Sequence, residues 1–169
     1  MTSVPAMDAG FVPDGIVRLV ASTRLHSHPD HVAALLEEPD VSWPGGRIPH
    51  PESPDLRRFA VDLRLRVGVE AAAVTTFRKA AFLDLGWPRR TATGWTAEIG
   101  WRASSAAPLF PVFSGRLTIE PDALRIDGLY APPGGVVGRV ADRVLLHVAA
   151  NATARWLLTE IDAAAAERR

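Results

Sequence analysis

Three groups of residues in this sequence have types and spacings that could do chemistry. His26, His28 and His31 form an H-x-H-x-x-H cluster, and imidazoles so spaced can bind a metal when one face presents all of them. Extended backbone puts His26 and His28 on one side, but His31 follows a proline, and no acidic partner comes with the spacing. No metal site is expected; the three read as exposed residues at a strand-to-helix junction. The second group is Trp95, Trp101, Phe113 and Tyr130, whose flat side chains bury roughly 150–250 Å² each and can line a ligand pocket or fill a core. The third is Asn151 with Arg155, polar intruders in a predominantly apolar stretch. An unpaired buried guanidinium is costly. Arg155 is therefore expected to meet a carboxylate, a ligand or water inside the fold, unless a local kink exposes it.

Other candidates carry less. Gly134-Gly135-Val136-Val137-Gly138 precedes a helical pattern, where backbone N–H groups can hold an anion. It lacks the Gly-Lys-Ser/Thr ending and the parallel βαβ context of a nucleotide loop, so it reads as a tight strand-to-helix corner. Asp62, Asp84, Glu98, Ser114 and His147 are individually capable of acid, base or nucleophilic work, yet alternation places Asp62 and Glu98 on wet faces. The catalytic residues, if any, stay unassigned; an inward Asp84 or His147 is the best candidate for an acid or base. Asn151-Ala152-Thr153 matches a glycosylation pattern by chance.

The elements that must position these groups follow from hydrophobic period. Residues 16–25 alternate as a strand, and Pro29 with Asp30 opens a short helix to Glu37. The segment from Pro39 to Pro54 holds five of the prolines and Gly45-Gly46. It is expected to be a long loop, a candidate lid over whatever the fold encloses. Phe59 to Val69 alternates over its whole length, and strands are also expected over Val74 to Leu85, Trp95 to Arg102, Phe113 to Glu120 and Leu124 to Tyr130. After Pro132-Pro133-Gly134-Gly135 the period turns helical to about Ala166. Val137, Val140, Ala141, Val144, Leu145, Val148, Ala152 and Trp156 are expected to form the apolar arc, Asn151 and Arg155 to project within it, and His147 to sit at its margin. Such a helix after a run of antiparallel strands must lay its apolar face on the sheet.

Totals bound the class. With 169 residues, the chain reads as a flexible tail over residues 1–14 and a single domain over 15–169. Lys plus Arg number 19 against 19 Asp plus Glu, which argues against a general electrostatic grip on nucleic acid or an anionic membrane. The lack of cysteine excludes disulfides, thiolate zinc sites and a cysteine nucleophile. The first 15 residues carry no basic residue and no sustained apolar run, and no window approaches the roughly 18 apolar residues of a membrane span. A cytoplasmic protein is expected.

The run from Leu109 to Glu160 resembles the C-terminal half of START-like, helix-grip (Bet v 1-like) proteins of the SRPBCC superfamily, in particular small bacterial polyketide cyclase or dehydrase-like members. Phe110-Pro111 with Gly115, then Gly128-x-Tyr130-x-Pro132-Pro133-x-Gly135-x-x-Gly138, and the long terminal helix carry the resemblance. It implies an α+β fold in which a curved antiparallel β-sheet wraps around a long C-terminal α-helix, leaving a cavity for an apolar or aromatic ligand. The sequence departs from that pattern by showing six strands instead of seven and by replacing a second short helix with the proline-rich segment.

Three functional readings follow. In the first, a small apolar or aromatic molecule binds between sheet and terminal helix, lined by Trp95, Trp101, Phe113, Tyr130, Asn151 and Arg155, with no cofactor. In the second, the same cavity belongs to a polyketide cyclase or dehydratase-like enzyme. In the third, the chain is a protein-interaction module, using the region near Trp87 or the proline-rich segment.

Overall fold

Alternating apolar residues build the sheet, and where the alternation breaks the chain turns. The computed structural model describes residues 16–38, 46–48, 55–67, 75–104, 112–131 and 140–167. The first strand, β1 (Val17–Arg24), buries Leu19 and Ala21 and exposes Arg18, Val20 and Ser22. Helix α1 (Pro29–Glu37) starts with Pro29 in its first turn, and the His28 ring Nδ1 accepts from the Asp30 N–H to cap it. Its buried stripe is Val32, Ala33, Leu35 and Leu36.

Seven further strands follow: β2 (Gly46–Ile48), β3 (Leu56–Val67), β4 (Thr75–Gly86), β5 (Arg89–Arg90), β6 (Trp95–Ala103), β7 (Val112–Ile119) and β8 (Ala123–Ala131). Helix α2 (Val140–Ala166) closes the fold. All pairings are antiparallel, in the order β1-β8-β7-β6-β4-β3-β2, with β5 paired on β6. The class is thus α+β, a large antiparallel sheet with a C-terminal helix. Two strands were not legible in the sequence. Both β2 and β5 are too short to show a period, and β2 lies inside the proline-rich segment. The rest of that expected lid (39–45 and 49–54), the expected tail (1–14) and the glycine-rich corner (132–139) lie outside the described residues.

Among the described side chains of α2, those that bury are Ala150, Thr153, Ala154, Leu157, Leu158, Ile161, Asp162 and Ala165, an i, i+3, i+4 stripe. For the described end of the expected arc this is a correction, since Val148 is exposed and Ala152 only half-buried; Val137, Val140, Ala141, Val144 and Leu145 lie outside the described side chains. Helix α2 packs chiefly on β3 and β1, with α1 beside it. These two strands stand near opposite ends of the sheet order, while β4, β6 and β7 between them make no comparable approach. The approach of α2 is thus closest at the flanks of the sheet order.

One carboxylate fixes the helix end to the sheet. Asp162 accepts the backbone N–H groups of His26 (3.1 Å) and Ser27 (3.0 Å) and the His26 ring Nδ1–H (2.7 Å), while Ser27 Oγ donates to the Asp162 carbonyl (3.0 Å). Burial pushes the Asp162 carboxyl up, but these hydrogen bonds together outweigh it and hold the group below its ordinary value.

Arg57 does comparable work at the other end of α1. Its side chain is buried on the core side of β3, and it donates to the carbonyls of Leu36, Glu38 (2.8 Å) and Gly86 (3.2 Å). A helix with no basic residue in its own last turn thus receives its C-terminal cation from a neighbouring strand. Burial, and secondarily Arg47, pull the Arg57 pKa down. The Trp87 ring lies against the guanidinium, 4.0 Å from centroid to Cζ.

In the middle of the sheet, Gly115 and Gly128 face each other across β7 and β8. A Cβ on Gly128 would fall on the Ser114 carbonyl oxygen, 2.5 Å from the Gly115 Cα and 2.7 Å from the Phe113 ring. Only bare backbone lets the Phe113 ring lie down there.

Two outcomes are expected. Gly128→Ala should lower unfolding free energy by about 2–3 kcal/mol, the upper part of the usual overpacking range, whereas Gly46→Ala, with open space around its Cβ, should leave the urea midpoint unchanged. Asp162→Asn should cost about 1–3 kcal/mol at neutral pH. Because the folded carboxyl is depressed, that stability is present above the ordinary value of 3.8 and is lost as pH falls through the folded value. Variant and wild type should therefore converge in urea titrations at low pH; a gap that persists there would assign the effect to packing.

Candidate functional site

The concave face carries a continuous row of residues in register: Phe59, Leu83, Trp101, Phe113, Tyr130 and Val17, each opposite the next on neighbouring strands. Strand alternation puts all of them on the side that α2 covers. Three of the expected site residues, Trp101, Phe113 and Tyr130, are adjacent here and almost completely buried. Trp101 and Phe113 stack with ring centroids 4.0 Å apart and planes 18° from parallel, which the glycine pair under Phe113 permits. This places a flat aromatic surface on the middle strands, those that α2 does not touch closely.

Polar atoms sit within this apolar layer. Trp101 Nε1 and, on the buried stripe of α2, Thr153 Oγ1 have no hydrogen-bond partner among the described residues. At the end of the row, Tyr130 Oη lies 3.3 Å from His147 Nδ1. Asn151 Nδ2 lies 3.0 Å from both His147 Nε2 and the His147 carbonyl oxygen. Burial pushes the Tyr130 phenol up from its ordinary pKa, so it remains a neutral hydroxyl. The buried phenol is thus connected through an exposed imidazole to solvent. Helical spacing accounts for the pair on α2, since residues four apart share a face.

Two expected site residues are elsewhere. Trp95 is six residues along β6 from Trp101, about 20 Å away at strand rise, and its indole N–H donates to Asp30 at 2.8 Å, tying the sheet to the start of α1. That hydrogen bond is the leading influence lowering the Asp30 pKa, and the Arg90 guanidinium lies over the same ring. Arg155 is exposed. The expectation that it projects into the apolar face is corrected: the buried stripe runs through Ala154 and Leu158, and Arg155 falls to one side of it. Beyond the helix's own backbone bonds, its carbonyl accepts from Thr159 Oγ1. Alanines on every side of α2 blur the apolar arc, which is why the pattern misplaced it.

Asp84, considered as an inward acid or base, is also corrected. Together with Arg58 it lies on the face of the sheet away from α2, where the two form a bidentate pair at 2.6 and 2.8 Å. This pair borders an open groove of about 710 Å³ over β3, β4, β6 and β7, whose margin includes Glu98, Arg102, Ser114 and Arg116. The histidine cluster is divided among structural tasks: His26 joins the Asp162 network and His28 caps α1, with its ring centroid 5.8 Å from that of His31.

The sequence pattern did not bring out Arg57, Arg58 or Asp162. A signal for Arg57 was present, since it shares parity with Phe59, Val61 and Leu63 and so had to point inward. Asp162 had the same kind of signal, being four residues beyond Leu158 on the buried stripe.

No helix among the described residues is long and apolar enough to cross a membrane. No protein-family model matches the sequence, and no curated protein matches it. Among solved structures, the chain is similar to the di-domain ARO/CYC (aromatase/cyclase) StfQ from the steffimycin biosynthetic pathway, with a TM-score of 0.53 and 15% identity over 92% of its own length. The match covers 52% of that protein, so this chain spans about half the length of its di-domain counterpart. At this identity the similarity is one of fold, and it agrees with the antiparallel sheet and C-terminal helix described above.

Proposed function

We propose that this chain is a helix-grip protein that binds a small apolar or aromatic molecule between the concave face of the sheet and α2. The observation that carries this reading is the stacked Trp101–Phe113 surface, continued by Tyr130, on the middle strands beneath a helix that presses on the sheet's flanks. An apolar layer with a few polar atoms among its aromatics is the composition of a small-molecule site. Trp101 Nε1 and Thr153 Oγ1, without partners among the described residues, agree with it, because a layer serving stability alone gains from leaving such groups out. The similarity to an aromatase/cyclase supports an aromatic occupant, as an expectation from fold.

A second reading, a cyclase or dehydratase-like enzyme, is favoured by the Tyr130–His147 contact, which offers an acid next to the aromatic surface. Asp84, on the other face, does not serve it. The interaction-module reading gains less: of the exposed large apolar residues, Val20, Leu129 and Val112 share the outer face of β1, β8 and β7, while Trp87, in the region that reading singled out, and Val148, on α2, stand apart from them.

Native mass spectrometry of protein purified from its own host should show a non-covalent small molecule that is lost on denaturation. The same protein should bind 1-anilinonaphthalene-8-sulfonate, and Trp101→Leu should weaken that binding about tenfold while leaving the fold intact by circular dichroism. A chain that carries nothing and binds no aromatic probe ends the ligand reading.

A further inference from the structure

The amide of Asn151 determines which way the hydrogen bonds of its neighbours run. Asn and Gln side chains offer an oxygen and an NH₂ group that are assigned from their surroundings. The group 3.0 Å from the His147 backbone carbonyl must be the NH₂, since a carbonyl oxygen only accepts. The same nitrogen lies 3.0 Å from His147 Nε2. An NH₂ only donates, so Nε2 must be the unprotonated, accepting nitrogen. A neutral imidazole with Nε2 accepting carries its proton on Nδ1. That Nδ1–H faces Tyr130 Oη at 3.3 Å, so the phenol oxygen is the acceptor in this contact. Its own O–H is then left to donate elsewhere. Tyr130 is 1% exposed, and no acceptor for this proton occurs among the described residues.

We infer that Asn151 is a positioning residue that holds His147 in the Nδ1–H tautomer, and that this turns the Tyr130 hydroxyl into a hydrogen-bond donor to an acceptor oxygen on the ligand. The inference rests on the ligand-binding reading for its second half. It also explains why two polar residues one helical turn apart stand at the end of an aromatic row: together they orient one proton. If the relay ran the other way, with His147 carrying its proton on Nε2, the Tyr130 O–H would be spent on Nδ1 and an acceptor-bearing ligand would gain nothing from it.

Two measurements test this with the intact chain. Nitrogen-15 NMR of the imidazole at mildly alkaline pH should show His147 as the Nδ1–H tautomer in the wild type. Asn151→Ala should shift it towards the Nε2–H form that an unconstrained imidazole prefers. A wild-type His147 in the Nε2–H form would overturn the assignment. Separately, dissociation constants for 1-acetylnaphthalene and 1-ethylnaphthalene, alike in shape but differing in the carbonyl oxygen, should differ about tenfold in favour of the ketone. Tyr130→Phe and Asn151→Ala should each reduce that preference to within about twofold, with little change for 1-ethylnaphthalene. Equal binding of the two probes to the wild type would refute the donor role and leave the aromatic site standing. Failure of both probes to bind would refute the site itself and the ligand half of the inference, while the tautomer measurement still decides the role of Asn151.

Discussion

A single carboxylate, Asp162, sets the register between the terminal helix and the sheet. It is the one charged group on the described buried face of that helix, and it takes the two backbone N–H groups released where β1 ends and α1 begins. Those groups would be left unpaired at a buried chain reversal without it. Fixing one end of a rigid helix fixes the other: His147 lies fifteen residues earlier, about 22 Å along the axis at helical rise. The position of the imidazole over Tyr130 therefore depends on a hydrogen-bond network at the opposite end of the molecule. A helix so rich in alanine has little side-chain relief to lock its own rotation, which makes the carboxylate's directional bonds the more decisive.

The sheet contributes its own constraint. Side chains large enough to form an aromatic surface need room to lie flat, and the backbone of β7 and β8 supplies it by omitting side chains at Gly115 and Gly128. Stacking of Trp101 on Phe113 follows from that allowance, since the two residues are directly opposite across β6 and β7. The local geometry of the candidate site is thus written in two absent side chains as much as in three aromatic ones.

Much of this fold was legible in the sequence, because strong periods survive single-residue noise. The limits of α1 match the reading from Pro29, Asp30 and Glu37, and six strands lie where alternation puts them, with ends shifted by a few residues. What was not legible has physical reasons. A three-residue strand such as β2 has no period. The face of an alanine-rich helix cannot be chosen by hydrophobicity, so the expectation of an inward Arg155 fails where the buried stripe runs through Ala154 and Leu158 instead. Trp95 and Trp101 share a strand face, and parity alone cannot tell that one serves a helix start and the other an aromatic layer about 20 Å away. Conversely, the grouping of Trp101, Phe113 and Tyr130 was readable because neighbouring antiparallel strands bring residues of equal parity into register.

The three carbonyls gathered by Arg57 have a mechanical meaning for the proline-rich segment. The chain leaves α1 at Glu38, whose carbonyl is bound to Arg57, joins the sheet edge as β2, and enters β3 at Leu56, the residue before Arg57. The exit from the helix and the entry into the strand are therefore stapled by one guanidinium, so that the end of α1, the start of β3 and the end of β4 move as one unit.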